Sequence, residues 1–367
     1  MVTPDRSNHS QHESFEMAQK IYRIDPTKDA RWSRFVELHP KASVFLTVGW
    51  LQTLRRTYGY APLAFTTSPP DTELENGIAF CYINSWLTGC RLVSLPFSDH
   101  CEPLCDSPDE LDFLLRYLHT TRDQQNLRYV EFRPINGIFS QLAPAAGFLP
   151  GAKFFLHRLD LRPNLDEVFA NLDKNSVQRR IHHAERAGLI EKCGRSEELL
   201  REFYRLFVIT RARHQLPPTP YAWFKNLIQN LGEALEIRVA YKDDAPAAAI
   251  LTLRFRDVLY YKYGCSDERL HKLGATPWLF WNAISAAKLS GANEFDMGRT
   301  EEGNAGLLTF KNHWVPTPEP LVYWSYPETS AVGSVEGWKM KTAIRIFSIM
   351  PRKLMALTGS LVYRHIG

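Results

Sequence analysis

Apolar and polar positions along the chain fall into blocks of helical and strand period. After a polar opening stretch, "SVFLTVGWLQTLRRTYG" (43–59) has apolar residues at helical spacing and predicts an amphipathic helix. The runs "APLAFTT", "GIAFCYINSW" and "CRLVSL" that follow are short, rich in strand formers and bounded by turn residues, so they predict strands. A helix from about Asp109 to Gln125 and the strand "RYVEFRP" complete a first block. A similar order recurs from Phe154, with helices near Leu165 to Ala187, Ser196 to His214 and Tyr221 to Leu231. The strands "ALEIRVAYK", "APAAAILTLRF" and "VLYYKYGCS" come next, then a helix from Pro277 to Leu289 and the strand "NEFDMG". A helix carrying Lys311 and the strand "EPLVYWSY" close the block. The order predicts an α/β (α+β) protein of two tandem units, residues 19–160 and 161–330, with the boundary near Leu159 to Pro163. Each unit is expected to be a mixed, mostly antiparallel sheet flanked by helices.

The two ends read differently. Residues 1–18 are polar throughout and predict a disordered leader without the apolar core of a signal peptide. Residues 331–367 predict an amphipathic helical tail: Met340, Ile344, Phe347, Leu354, Leu357 and Leu361 keep helical spacing, interrupted at Pro351. From Glu336 to Gly367 six Lys/Arg face one acid, a balance of +5; since the whole chain is +4, the other residues sum to −1. A basic amphipathic tail fits an anionic membrane surface. The alternative is a helix docked on its own domain with a solvated basic face.

The length of 367 residues and 44% hydrophobic content suit two cores. Six cysteines without CxxC spacing predict neither a disulfide scaffold nor a metal site and suit a cytoplasmic protein. No apolar run approaches the roughly 20 residues that cross a bilayer, so membrane association is expected to be peripheral at most, on the inner membrane. With charge balanced outside the tail and no recognition motif, DNA binding is not expected, whereas a transient tRNA contact is compatible.

Four segments carry candidate chemistry. In "DKNSVQRRIHHAERAGL" (173–189), Val177, Ile181 and Ala184 mark an apolar face. Arg179, Arg180, His183 and Arg186 make the rest cationic, suited to phosphate or carboxylate, although such faces are commonly just solvated. In "SLPFSDHCEPLCD" (94–106), Asp99 and His100 are candidates for binding, and Cys101 and Cys105 read as parts of an ordered loop. Gly274, Ala275 and Thr276 open a helix whose backbone N–H groups suit a phosphate, while Thr276-Pro277 is equally a good helix start on its own. In "EFDMGRTEEGNAGLLTFKNHW" (294–314), Lys311 lies along the apolar stripe of Leu307, Phe310 and Trp314.

Together these segments resemble the FemAB-like branch of the GNAT superfamily, including its BioF-like acetyltransferase domains. The resemblance rests on "RRIHHAERAGL", "YKYGCSDERL" with the helix after it, and "FDMGRTEEGNAGLLTFKNHW", and covers roughly Val44 to Tyr326. It departs from the family at Val315, often glycine there, and at His271, Gly274 and Thr276, where the acyl-CoA loop has the form [Q/R]xxGx[G/A]. It implies two GNAT-like domains and transfer of an acyl or aminoacyl group to an amine. Donors are acyl-CoA or aminoacyl-tRNA, delivered as substrates rather than held as cofactors, and the acceptor is a phosphate-bearing or saccharide precursor of the cell envelope. Such chemistry needs an amine to attack a carbonyl, a proton acceptor and a cation for the oxyanion. Lys311 is the expected cation and Asp296 the carboxylate that orients it or takes the proton, with Arg299 on an anionic substrate and Tyr263 and Ser266 either lining the acceptor cleft or packing the sheet. The rival expectations are a Lys311 that pairs with Asp296 or Glu301 for stability alone, an ordinary acyl-CoA N-acetyltransferase, and a non-catalytic carbohydrate- or phosphate-binding module.

Overall fold

Polar caps set many of the helix starts. In chain order the first half holds β1 (Tyr22–Ile24), α1 (Ala30–Leu38), α2 (Val48–Tyr58), β2 (Ala61–Thr66), β3 (Ile78–Ser85), β4 (Gly89–Val93), α3 (Pro108–Gln124), β5 (Tyr129–Phe132), α4 (Ile138–Leu142) and β6 (Leu149–Asp160). The second holds α5 (Leu165–Asn171), α6 (Arg179–Arg186), β7 (Ile190–Gly194), α7 (Glu197–Arg213), α8 (Tyr221–Leu231), β8 (Leu235–Lys242), β9 (Ala245–Phe255), β10 (Val258–Ser266), α9 (Ala275–Leu289), β11 (Glu294–Glu301), α10 (Ala305–Asn312) and β12 (Glu319–Tyr326). Ser107 caps α3, with Pro108 in its first turn and Asp109 and Glu110 against the positive end of the helix dipole. This computed structural model describes residues 20–86, 88–135, 137–327 and 363–365. The expected leader (1–18) and most of the expected tail (331–367) lie outside the described residues.

The sheet is where the structure goes beyond the expectation of two separate units. Among the described residues, twelve strands form one sheet in the order β1-β2-β3-β4-β5-β12-β6-β11-β10-β9-β8-β7. The link is β12, which leaves the second unit to lie between β5 and β6, antiparallel to both. On its other edge β6 pairs antiparallel with β11, so the strand ending at the expected boundary is shared by the two halves. One apolar cluster likewise draws on both, joining Trp50, Leu51 and Leu54 of α2 to Trp223, Phe224 and Leu227 of α8. A second, around Leu279, Phe280, Phe295 and Trp314, fills the opposite face of the second half.

The single helix expected over Leu165 to Ala187 is broken into three pieces. The Asp173 carboxylate accepts from the N–H groups of Asn175 and Ser176, starting a π-helical turn at Lys174–Gln178 that runs into α6. The Gln178 amide donates to the carbonyls of Phe169 and Leu172, satisfying the end of α5. Val177, Ile181 and Ala184 are buried as the spacing predicts.

Two irregularities position the site. Parallel strands β10 and β11 are paired only at Val258–Tyr260 against Glu294–Asp296, then part. Beyond that point each shows a register shift against its other neighbour, between Tyr261 and Tyr263 on β10 and between Asp296 and Arg299 on β11. Among the described residues, no helix is long and apolar enough to cross a membrane.

Candidate functional site

The loop between β4 and α3 reaches across from the first half and places Asp99 and His100 where β10 and β11 separate. Asp99 Oδ2 accepts from Lys262 Nζ of β10 at 2.7 Å, and His100 Nε2 lies 2.7 Å from Asp296 Oδ2 of β11. Two adjacent residues of one half thus bind both parted strands of the other. The Asp99 backbone carbonyl is fixed from a third strand, accepting from the Tyr323 hydroxyl of β12 at 2.7 Å.

Gly298 is the hub of the β11 side. Its φ of +70° is the left-handed region that glycine tolerates, and a Cβ there would stand 3.1–3.3 Å from the Asp99 carboxyl group. Its N–H donates to Asp296 Oδ1 at 2.6 Å, and its carbonyl accepts from Lys311 Nζ at 2.8 Å. Lys311 also donates to the Arg299 carbonyl at 3.0 Å. The expected pairing of Lys311 with Asp296 or Glu301 is therefore replaced by backbone carbonyls of the β11 bulge. Asp296 in turn holds His100 and Gly298.

Arg299 lies over the rings of Phe154 and Tyr323, at 4.2 and 5.0 Å. Among the described residues no carboxylate pairs with it. Lys262, the extra residue of the β10 bulge, points its ammonium at the rings of Phe45, Trp50 and Tyr263, 5.1 to 5.9 Å away. Three cations, Lys262, Arg299 and Lys311, thus face two carboxylates, Asp99 and Asp296, an excess of one positive charge with His100 neutral. Lys311 and Asp296 are almost sealed, while 17% of the Asp99 side chain, 7% of Lys262 and part of Arg299 remain exposed, so the cluster opens toward Asp99, Lys262 and Arg299.

The titration of the cluster follows from burial set against these pairs. Burial lowers Lys311, and Lys262 and Arg299 add to this, so that against the pull of Asp99 and Asp296 its pKa falls to about 8. Burial outweighs the Asp99 charge at Lys262, which is also lowered. Burial alone would raise Asp99, but the Lys262 ammonium holds its carboxyl below the usual range. Burial alone would lower His100; the Asp296 carboxylate overrides it, with help from Asp99 and Glu102, and the imidazole is raised. Burial pushes Glu102 up to about 7. Burial also pushes the Cys101 and Cys105 thiols up to about 12, so both are protonated and un-nucleophilic at neutral pH.

The other sequence-selected residues gather elsewhere. Ser266, at the far end of β10, has its hydroxyl 2.7 Å from His271 Nε2 and lies roughly 13 Å along the strand from Lys262. Gly274 follows with φ +74°, and a Cβ there would meet the Arg180 carbonyl of α6 at 2.5 Å. Gly274 and Ala275 are thus buried beneath α6, and Thr276 is half-buried, so close packing accounts for the glycine. Arg179, Arg180, His183 and Arg186 are exposed on α6. Tyr263 belongs to an aromatic wall beside the ionic cluster, its hydroxyl accepting from Trp223 Nε1 at 2.9 Å. Lys262 was passed over in the sequence; its one signal is a lone lysine inside the aromatic strand "VLYYKYG".

Among the described residues, no group of three or more His, Cys, Asp or Glu is arranged to hold a metal ion. A cavity of about 610 Å³ lies away from the cluster, between α7, the β8–β9 turn and the segment leading to α9.

Residues 173–312 match a family described as an acetyltransferase (GNAT) domain. No curated protein sequence matches the chain. The crystal structure of FemX is similar over 86% of this chain and 99% of its own, at 14% identity and a TM-score of 0.68. That of L-PGS from Bacillus licheniformis is similar over 87% and 97%, at 14% identity and a TM-score of 0.56. A tandem GNAT protein from the clavulanic acid biosynthesis pathway is similar over 83% and 97%, at 11% identity and a TM-score of 0.53. The likenesses to these structures are of fold, and together with the domain match they support an acyltransferase.

Proposed function

We propose that this tandem GNAT-fold chain transfers an acyl or aminoacyl group to an amine on a cell-envelope acceptor, with the reaction centred where β10 and β11 part. The observation that carries the reading is the excess of positive charge there, with Lys311 buried and Arg299 half-buried without a paired carboxylate among the described residues. Burying unmatched charge is unfavourable by several kcal/mol per ion, and an oxyanion forming beside Lys262 and Arg299 would offset it. Asp99, at the open edge with one carboxylate oxygen beyond its Lys262 contact, takes the amine proton. Lys311 adds to the field and fixes the bulge that presents Arg299, and Asp296 orients His100.

The envelope acceptor is supported by the solved structures of FemX and of a lysylphosphatidylglycerol synthetase domain from Agrobacterium fabrum, the latter similar over 83% of this chain at 13% identity and a TM-score of 0.55. The exposed arginines of α6 suit a phosphate on that acceptor, or on a tRNA donor. Peripheral contact with an anionic inner-membrane surface through 336–367 belongs to the same proposal.

The test supplies acetyl-CoA and aminoacyl-tRNA in parallel to a phosphate-bearing peptidyl cell-wall precursor and follows the product by mass. Transfer from aminoacyl-tRNA supports the full reading. Transfer from acetyl-CoA alone converts it to an ordinary N-acetyltransferase, which the GNAT domain match favours as the second reading. No transfer from either donor by folded protein overturns both in favour of a binding module.

A further inference from the structure

The loop that carries Asp99 and His100 is held in an unfavourable shape. Leu95 and Phe97 have φ of +59° and +61°, left-handed values that residues with a side chain seldom adopt. Such backbone persists only where its surroundings impose it. One side chain, Arg133 just past the end of β5, supplies much of that hold. Its Nη1 donates to the Leu95 carbonyl at 2.9 Å and reaches the Ser98 carbonyl at 3.4 Å. The Leu95 carbonyl also accepts from the Ser98 N–H at 3.2 Å and from its hydroxyl at 2.6 Å, so the turn closes on the guanidinium. The backbone ties down both ends of the loop. Ser94 N–H donates to the Glu131 carbonyl at 2.8 Å, and Cys101 N–H to the Arg133 carbonyl at 2.6 Å.

Arg133 is itself fixed, and it reaches a second part of the site. Its Nε and Nη2 both stand 2.8 Å from Glu131 Oε1, which leaves Nη1 for the loop. Its guanidinium lies 5.0 Å from the centre of the Tyr323 ring, as does that of Arg299. The hydroxyl of the same tyrosine donates to the Asp99 carbonyl at 2.7 Å. An arginine that only balanced Glu131 would have no need of the loop carbonyls, and Arg133, buried at 9% exposure, spends its remaining donors on them.

We infer that Arg133 is a positioning residue: it holds the loop from Leu95 to Ser98 in the shape that brings Asp99 to Lys262 and His100 to Asp296. Its effect on transfer rests on the transfer reading above. Its hold on the loop does not, and is tested without activity. Arg133→Lys keeps the charge beside Glu131, but a single ammonium lacks the planar fork that serves Glu131 and the loop together. Two quantities are compared with the native chain. One is amide hydrogen exchange of residues 95–101, with residues 247–253 of β9 as control. The other is the His100 imidazole titration followed by NMR and assigned with His100→Gln. The variant is expected to speed exchange in the loop by about tenfold or more with the control unchanged. The His100 midpoint is expected to fall from its raised value toward the ordinary value of about 6.5. A general loss of stability would instead speed exchange in β9 as well and leave the midpoint in place. The pair Arg133→Gln with Glu131→Gln, which buries no charge, is expected to give the same result and stands in if Arg133→Lys does not fold. Native loop exchange with a native midpoint in a folded variant overturns the inference, and so does exchange that rises equally in β9. Under the transfer reading, kcat of Arg133→Lys should fall about tenfold with the acceptor KM little changed. A displaced loop with native kcat would keep the inference and count against transfer at Asp99.

Discussion

Two charged regions that look alike in the sequence meet opposite fates in the fold. The α6 face, with Arg179, Arg180, His183 and Arg186, stays in solvent, and His182 pairs with Glu185 one turn on. Lys262, Lys311, Asp99, His100 and Asp296 are drawn inward to the parting of β10 and β11, within hydrogen-bond reach of one another or of the backbone that joins them. Surface charges contribute little to stability, and buried ones are tolerated only with partners or for a purpose. Substitutions in the two regions should therefore diverge: large effects on stability and transfer in the cluster, small and salt-dependent effects on binding at α6.

The largest expected effect is on stability. Asp99→Ala leaves the Lys262 ammonium buried without its paired carboxylate and should lower unfolding free energy by about 3–5 kcal/mol, read as a fall in the urea midpoint. Lys262→Met removes the cation nearest the open edge, and transfer should fall about 10²–10³-fold in single-turnover rate. If the rate holds while the fold is intact, Lys262 is confined to balancing Asp99.

The pH dependence sharpens the contrast. With Lys311 titrating at about 8, transfer should decline as pH rises through that value. Lys311→Arg, which stays charged, should move this limb upward. The His100–Asp296 contact acts on stability. Because the folded imidazole is raised, its contribution is complete below the unfolded value of about 6.5 and is lost as pH rises through the higher folded value. His100→Gln should flatten that part of the stability profile, measured against the native chain. The smallest effect belongs to α6: Arg179→Glu with Arg186→Glu should change stability by no more than about 0.5 kcal/mol. The same pair should weaken binding of the phosphate-bearing precursor several-fold, more so at low salt.

Much of this was legible from residue order. The helix and strand pattern from Val44 onward predicts the elements that build the site, and the sequence marks Asp99, His100, Asp296 and Lys311 as candidates. Lys311 interrupts an apolar helix face and Asp296 stands at a strand end, whereas Asp99 and His100 are polar groups of a loop, and the catalytic role expected of Lys311 comes from the family resemblance. Lys262 escaped because a lone lysine in an aromatic strand reads as solvated: alternation puts it on the face of Tyr260, beside Phe45 and Trp50, and the register shift after Tyr261 brings Tyr263 to the same side. The insertion of β12 between β5 and β6 escaped for another reason, since pairing between distant strands leaves no local periodicity. Gly274 looked like a phosphate loop because a left-handed glycine before a helix serves ligand approach and helix packing equally well, and here Arg180 lies against it.

The central claim is that the buried cluster, rather than the exposed arginines, is the transfer centre. The measurement that tests it most directly is the single-turnover transfer rate of Lys311→Met beside that of the α6 double variant, both at saturating donor and acceptor and both with native circular dichroism. A loss of about 10²-fold or more in Lys311→Met, with the α6 variant close to the native rate, is the predicted result. Native turnover by folded Lys311→Met, or an equal loss in the α6 variant, would contradict it.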